Sequence, residues 1–194
     1  MPSAAPTPNV TSPECNEGHG ATDSEPPSRL RIDVVQEAGD WSFRAGIVEA
    51  VNQAADALAA THEVERNTFE ACVALSCDEH VARLNKTYRG KSASTNVLSF
   101  PASSSRPEAN FLGDIVLAEE TVAREAEALG LPFKHHLQHL VVHGLLHLLG
   151  FNHECDEDAQ AMETVEIRTL ERLGIPNPYE ASASARKIEH TKAP

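Results

Sequence analysis

A chain of 194 residues, 41% of them apolar, can bury one sizeable core and suits a single domain with tails better than two full domains. It has no run of 18 apolar residues, which excludes a hydrophobic membrane-spanning helix. A formal net charge of −13 argues, taken as a sum, against a nucleic-acid partner, and neither DNA nor a membrane is expected as one.

Residues 1–28 are rich in Pro, Ser, Thr and Glu and lack apolar periodicity, the composition of a disordered N-terminal extension. The opening MPSAAPTPNV has neither a basic start nor an apolar stretch, so no secretory signal is expected and the cytoplasm is the expected location. The folded domain should then span 29–180. LRIDVVQ alternates and is β-rich, so it reads as a strand. Residues 43–60 are alanine-rich with helical spacing, and FEACVALS is a second strand. DEHVARLNKTYR reads as a helix with Asp78 as its N-cap. TNVLSF and LGDIVLA are two more short strands. Three helices follow, over about 119–129, 133–149 and 156–173; Gly130 with Pro132, and Gly174 with Pro176, mark stops after the first and last of them. Residues 181–194 read as a flexible C-terminal tail. Strands and helices do not alternate strictly, and the helices collect toward the C-terminus. The pattern predicts an α+β fold: a small mixed four-stranded sheet packed against about five helices.

Four cysteines, Cys15, Cys72, Cys77 and Cys155, form no CxxC pair and read as free thiols of a reducing compartment. Charge is unevenly spread. Residues 80–107 hold five basic side chains (Arg83, Lys86, Arg89, Lys91 and Arg106) and no acid, whereas 154–171 hold seven acids and one arginine.

The segment VVHGLLHLLGFNH, residues 141–153, sets three histidines among leucines and valines. On a helix His143 and His147 share a face, with Cβ atoms about 5–6 Å apart, so both imidazoles can reach one ion. Gly150 can adopt a left-handed conformation, end the helix and turn the chain back, so that His153 arrives as a third ligand. Three nitrogens with one open position is the usual arrangement of a catalytic zinc, and one zinc per chain is expected on this C-terminal helix. A histidine on an apolar face is ordinarily a satisfied core residue, and an i, i+4 pair can arise by chance among ten histidines. The full order H-x3-H-x2-G-x2-H is much harder to reach by accident. His139 extends the row, but each step of four drifts by roughly 40°, so His139 is read as a group behind the ligands or on the substrate side. His135 and His136 are expected at the surface. The spacing matches the metzincin signature HExxHxxGxxH at every position but one. Gly144 stands where the catalytic glutamate would be, and glycine cannot take a proton.

HGLLHLLGFNH resembles the YbeY family of bacterial endoribonucleases, also called rRNA maturation factors. So do LNKTYRGKSASTNVLSFP, LGDIVLA and EALGLPFKHHLQHLVVHG, with the motifs in the same order over about residues 30–179. The resemblance implies a single-domain hydrolase with one zinc held by His143, His147 and His153. It implies a functionally important arginine in the Arg-Gly-Lys segment, which is Arg89 here. It also implies cleavage of single-stranded RNA in 16S rRNA 3′-end maturation and ribosome quality control, with the ribosome or its assembly factors as partners. Ser92 and Asn152 depart from the family, many of whose members carry Asp at those positions.

The basic window now gains a purpose, since RNA binding depends on neutralising phosphates. Arg89 can hold two phosphate oxygens at once, and a metal ion can polarise a phosphoryl oxygen. Arg83, Lys86 and Lys91 are candidate phosphate contacts. Asp114 either orients a metal-binding histidine or makes a sheet-edge or capping contact. Asn96 and Ser99 read as structural or substrate-contacting. Two other functions stay open: an atypical metallopeptidase with its base elsewhere, and a ribosome-associated binding factor with a structural zinc completed by Cys155 or Asp156.

Overall fold

A computed structural model describes residues 30–42, 44–62, 69–102 and 110–179. The extension expected over 1–28 and the tail expected over 181–194 lie outside the described residues. In chain order the elements are β1 (Leu30–Gln36), α1 (Ile47–Thr61), β2 (Phe69–Ser76), α2 (Asp78–Arg89), β3 (Val97–Pro101), β4 (Phe111–Ala118), α3 (Glu119–Leu129), α4 (Phe133–Leu148) and α5 (Asp156–Arg172). The sheet order is β1-β2-β4-β3, with β1, β2 and β4 parallel and β3 antiparallel at the edge. This is the mixed four-stranded sheet with five helices that the sequence pattern predicts.

The C-terminal halves of β2 and β4 are buried on both faces, because both faces are covered there. Ala71, Val73, Leu75, Ile115 and Leu117 join the main core with residues of α1, α4 and α5. Ala74, Val116 and Ala118 point the other way, into a smaller cluster with Leu98 and with Val81 of α2. Helix α1 buries Ile47, Ala50, Val51, Ala54, Ala55 and Leu58, the stripe its spacing predicts. Helix α4 is the centre of the main core. Its Leu137, Val141, Leu145 and Leu146 are fully buried, and each such leucine contributes roughly 1.5–3 kcal/mol.

A bulge shapes β4. Glu70 pairs with Phe111 and Ala71 with Gly113, so Leu112 is an extra residue. Gly113 sits at φ 137°, and a Cβ there would lie 2.2 Å from the Phe100 carbonyl oxygen. Only glycine lets edge strand β3 close on β4 at this point.

Four expectations are corrected. Asp78 is not the N-cap of α2; Cys77 occupies that position. The Asp78 carboxylate instead accepts the Thr121 N–H at 3.1 Å and its hydroxyl at 2.6 Å, while Glu120 Oε2 accepts the Asp78 N–H at 2.8 Å. The starts of α2 and α3 thus cap one another, satisfying N–H groups that a helix leaves without partners. His136 is buried rather than on the surface, with Nε2 against Glu125 Oε2 at 2.9 Å. Helix α1 starts at Ile47 rather than 43, and β3 at Val97 rather than Thr95, where Asn96 Oδ1 takes the Val97 N–H at 2.7 Å.

Candidate metal centre

Helix α4 is buried along most of its girth, but His139, His143 and His147 form a half-buried row. The helix stops at Leu148 because Gly150 turns left-handed at φ 95°. The Phe151 N–H then bonds the Leu146 carbonyl at 3.0 Å and the Gly150 N–H bonds the His147 carbonyl at 3.1 Å, a Schellman closure. Asn152 Oδ1 accepts the Glu154 N–H at 3.0 Å, tightening the next turn. These bonds carry exposed His153 back over the helix, with its ring centroid 5.1 Å from that of His147 and 5.9 Å from that of His143. One ligand atom from each of His143, His147 and His153 lies within 4.8 Å of the others.

The proton positions show what this cluster fits. His147 Nδ1 lies 3.0 Å from the Phe151 carbonyl oxygen. A carbonyl only accepts, so the proton is on Nδ1 and Nε2 offers a lone pair. His143 Nδ1 lies 3.2 Å from Glu166 Oε1, which places its proton in the same way. With both rings neutral, the two Nε2 atoms, 3.1 Å apart, meet lone pair to lone pair. Two nitrogens bound at about 2.0–2.1 Å to a tetrahedral ion would sit ~3.3 Å apart. The pair fits a shared cation and does not fit a hydrogen bond between neutral rings. Burial, more than any other cause, holds His147 below the usual histidine range. A proton on His143 or His153, and the Arg89 charge, act in the same direction, and the Phe151 carbonyl opposes them.

Glu166 of α5 lies outside every sequence motif, yet it belongs to the site. It is 0% exposed, and its carboxylate lies 3.2 Å from both His139 Nε2 and His143 Nδ1. The Tyr179 hydroxyl, beyond the end of α5, donates to its other oxygen. Burial would raise the Glu166 pKa, but donation from His139 and His143 outweighs it and holds the group down at about 2. Burial and the Glu166 charge push Tyr179 far above the usual phenol range, which keeps it a donor. One signal was available: Glu166 lies on the stripe of Met162, Thr169 and Leu170, an acid at an otherwise buried position. Tyr179 carried no such signal.

The other candidates are spread more widely. Arg89 ends α2 exposed, and its charge reaches His147. Lys86 and Lys91 are exposed beside it. Arg83 is exposed but bonded to Glu79 at 2.5 Å, one helical turn back. Asp114 is exposed and alternates away from Ile115, onto the sheet face opposite α4, where its charge, after burial, raises the Cys72 thiol pKa. The carboxylate beside the histidines is Glu166. Ser99 Oγ donates to the Gly144 carbonyl at 3.3 Å, fastening edge strand β3 to α4.

Gly144 has a packing reason. A Cβ there would lie 2.9, 3.1 and 3.2 Å from Cδ1, Cγ2 and Cγ1 of buried Ile115. Ile115 is β-branched and stiff at χ1, so the methyl of Gly144→Ala must overpack it. That costs about 1–3 kcal/mol, against about 1 kcal/mol gained in helix propensity. Gly144→Ala should melt lower than wild type by a few degrees, at about 2–4 °C per kcal/mol. An unchanged or higher Tm in a thermal melt would show that Ile115 gives way. A glutamate here meets the same wall.

These observations define an α+β protein with a three-histidine metal-type site borne by one helix and the turn after it. The sequence model of the family described as Endoribonuclease YbeY matches residues 34–174, and the chain belongs to that family. A relative named Endoribonuclease YbeY from Rhodopseudomonas palustris is 45% identical over 162 residues, covering 78% of this chain and 82% of its own. Another of that name, from Parvibaculum lavamentivorans, is 48% identical over 164 residues, covering 79% and 87%. The solution structure of TM1509 from Thermotoga maritima aligns at 22% identity with a TM-score of 0.48, over 74% of this chain and 91% of that one.

Proposed function

We propose that this protein is a zinc-dependent endoribonuclease that cuts single-stranded RNA. The observation that carries the reading is the convergence of ligand atoms from His143, His147 and His153 within 4.8 Å of one another, with the Arg89 charge reaching His147. The relatives' name, Endoribonuclease YbeY, supports RNA as the substrate class. A donor set of three neutral nitrogens suits zinc; held there, the ion would supply Lewis-acid polarisation of a phosphoryl oxygen. Glu166 fixes the proton on His143 Nδ1, and the Phe151 carbonyl fixes that on His147. Arg89 would grip the scissile phosphate and balance charge that grows on it during cleavage. Lys86 and Lys91 would steer the strand through its other phosphates, with Arg83 contributing only after leaving Glu79. The resemblance of the four motifs to YbeY proteins supports 16S rRNA 3′-end maturation and ribosome quality control in the cytoplasm as the setting.

Two other readings find less support. A structural zinc calls for a fourth protein ligand, but Cys155 Sγ instead accepts the Asp158 N–H at 3.5 Å as the cap of α5, outside the ligand cluster. A peptidase needs a base on the open side of the metal. Gly144 abuts Ile115, and Glu166 lies buried behind His143.

Zinc-loaded protein should cleave a labelled single strand carrying the 3′ end of 16S rRNA and spare the same sequence in a duplex. Stripping the metal should abolish cleavage, and adding zinc back should restore it. Cleavage no greater with metal than without, in protein that retains stoichiometric zinc, would favour the binding factor instead.

A further inference from the structure

Tyr88 is 68% exposed, immediately before Arg89. Single exposed aromatic residues are ordinary and need no function; three observations distinguish this one. Its ring is held, because it meets the Phe100 ring edge to face at 5.0 Å and 64°. Phe100 is itself half-buried against the smaller core cluster, so the Tyr88 ring is anchored by that contact while most of it stays open to solvent. The cations around it are available. Lys86, Arg89 and Lys91 are all exposed, and among the described residues none of them forms an ion pair. That is notable in a chain with 29 acids against 16 lysines and arginines. Finally, the platform is coupled to the metal centre through one strand. In β3, Phe100 faces Tyr88, while its neighbour Ser99 turns the other way and bonds the Gly144 carbonyl of α4, next to His143.

An aromatic face fixed among unpaired cations suits a ligand that is both flat and polyanionic. We propose that Tyr88, backed by Phe100, is a stacking platform for one nucleobase of a single-stranded RNA whose neighbouring phosphate lies at Arg89; this rests on the endoribonuclease reading above. The flat base supplies the stacking, and the phosphates on either side meet Lys86, Arg89 and Lys91. A duplex hides its base faces and could not use the platform, which gives a physical basis for preferring single strands.

The test measures the affinity of the zinc-loaded full chain for a fluorescent single-stranded RNA, and its KM and kcat for cleavage. Base–aromatic stacking sets the expected scale, and Tyr88→Ala should bind about 5- to 150-fold more weakly. The loss should fall mainly on KM, and Tyr88→Phe, which keeps the ring, should recover most of the affinity. A second series moves one abasic nucleotide along the strand. Wild type should show a position at which losing the base weakens binding, and that penalty should vanish in Tyr88→Ala. The platform is wrong if wild type binds and cleaves RNA but Tyr88→Ala does so equally well. It is also wrong if Tyr88→Phe is as weak as Tyr88→Ala, or if the abasic penalty survives in Tyr88→Ala. If wild type neither binds nor cleaves RNA, the endoribonuclease reading falls first and the platform falls with it. Tyr88 is exposed, so its variants should melt as wild type does, and melting curves will reveal any that do not.

Discussion

His143→Ala should purify without stoichiometric metal, and Glu166→Gln should hold the ion about 10- to 100-fold more weakly than wild type, the usual cost of losing a carboxylate behind a metal-binding histidine. The two effects differ in kind. His143 offers a ligand atom to the proposed site, and its removal leaves two imidazoles, one of them on exposed His153. Glu166 supplies no ligand. It lies 3.2 Å from His143 Nδ1 and so decides which nitrogen carries the proton. Glutamine nearly preserves its shape but removes the charge. It also brings an N–H₂ group into a pocket where His139, His143 and Tyr179 already point donors. The His143 ring is then free to adopt the other tautomer, which presents a proton to the ion. Elemental analysis and competition against a coloured chelator distinguish these outcomes. Full zinc occupancy in His143→Ala, or an unchanged affinity in Glu166→Gln, would overturn the assignment. Acid should show the same logic. Burial lowers the His147 pKa, so this ligand stays unprotonated to lower pH than an exposed histidine. In metal-free protein an NMR titration should find His147 taking its proton below the range of an exposed histidine.

How far the sequence reveals this site depends on where each signal is written. The candidate ligands are local: His143, His147 and His153, with the turn glycine Gly150 between them, lie within eleven residues, and both helical spacing and the left-handed closure can be read from one stretch. The strands are local too, which is why β1, β2 and β4 fall within a residue of their expected limits. Long-range partners are another matter. Glu166 lies 23 residues beyond His143 in a strongly acidic stretch, where the eye takes an acid for a solvated one. Asp78 and Thr121 are 43 residues apart, so a helix-start aspartate looks like a cap for its own helix when it caps another. His136 fails for a similar reason, since its partner Glu125 lies on the preceding helix. Asp114 sits in a motif, but strand alternation turns it away from α4. Gly144 shows the converse. Its identity reads in sequence as a missing base, and only the approach of Ile115 reveals it as the place where helix and sheet touch.

Arg89→Ala should keep its metal and its fold yet cleave single-stranded RNA about 10²- to 10³-fold more slowly, the usual cost of removing one preorganised stabiliser of transition-state charge. Retention of fold follows from position. Arg89 is the exposed last residue of α2, where a cation favours the helix dipole by only about 0.3–1 kcal/mol. Retention of metal follows from chemistry, since a guanidinium is not a ligand and its charge opposes a nearby cation. The loss in rate follows from what remains. On the endoribonuclease reading, losing Arg89 leaves the scissile phosphate without its two-pronged donor for the charge that builds during cleavage. Lys86 and Lys91 are point charges on flexible stems and cannot replace that geometry. Lys86→Ala should behave differently, weakening RNA binding and flattening its salt dependence while sparing the rate at saturating RNA. Arg83→Ala should do less still, because Arg83 spends its charge on Glu79. Cleavage at saturation and affinity across a salt series separate the three variants. One further measurement ties Arg89 to the centre itself. Its charge contributes to lowering the His147 pKa, so in metal-free Arg89→Ala protein an NMR titration should find His147 shifted upward, and in Lys91→Ala much less so. A normal cleavage rate in Arg89→Ala beside a crippled Arg83→Ala would show that the wrong arginine has been placed at the phosphate.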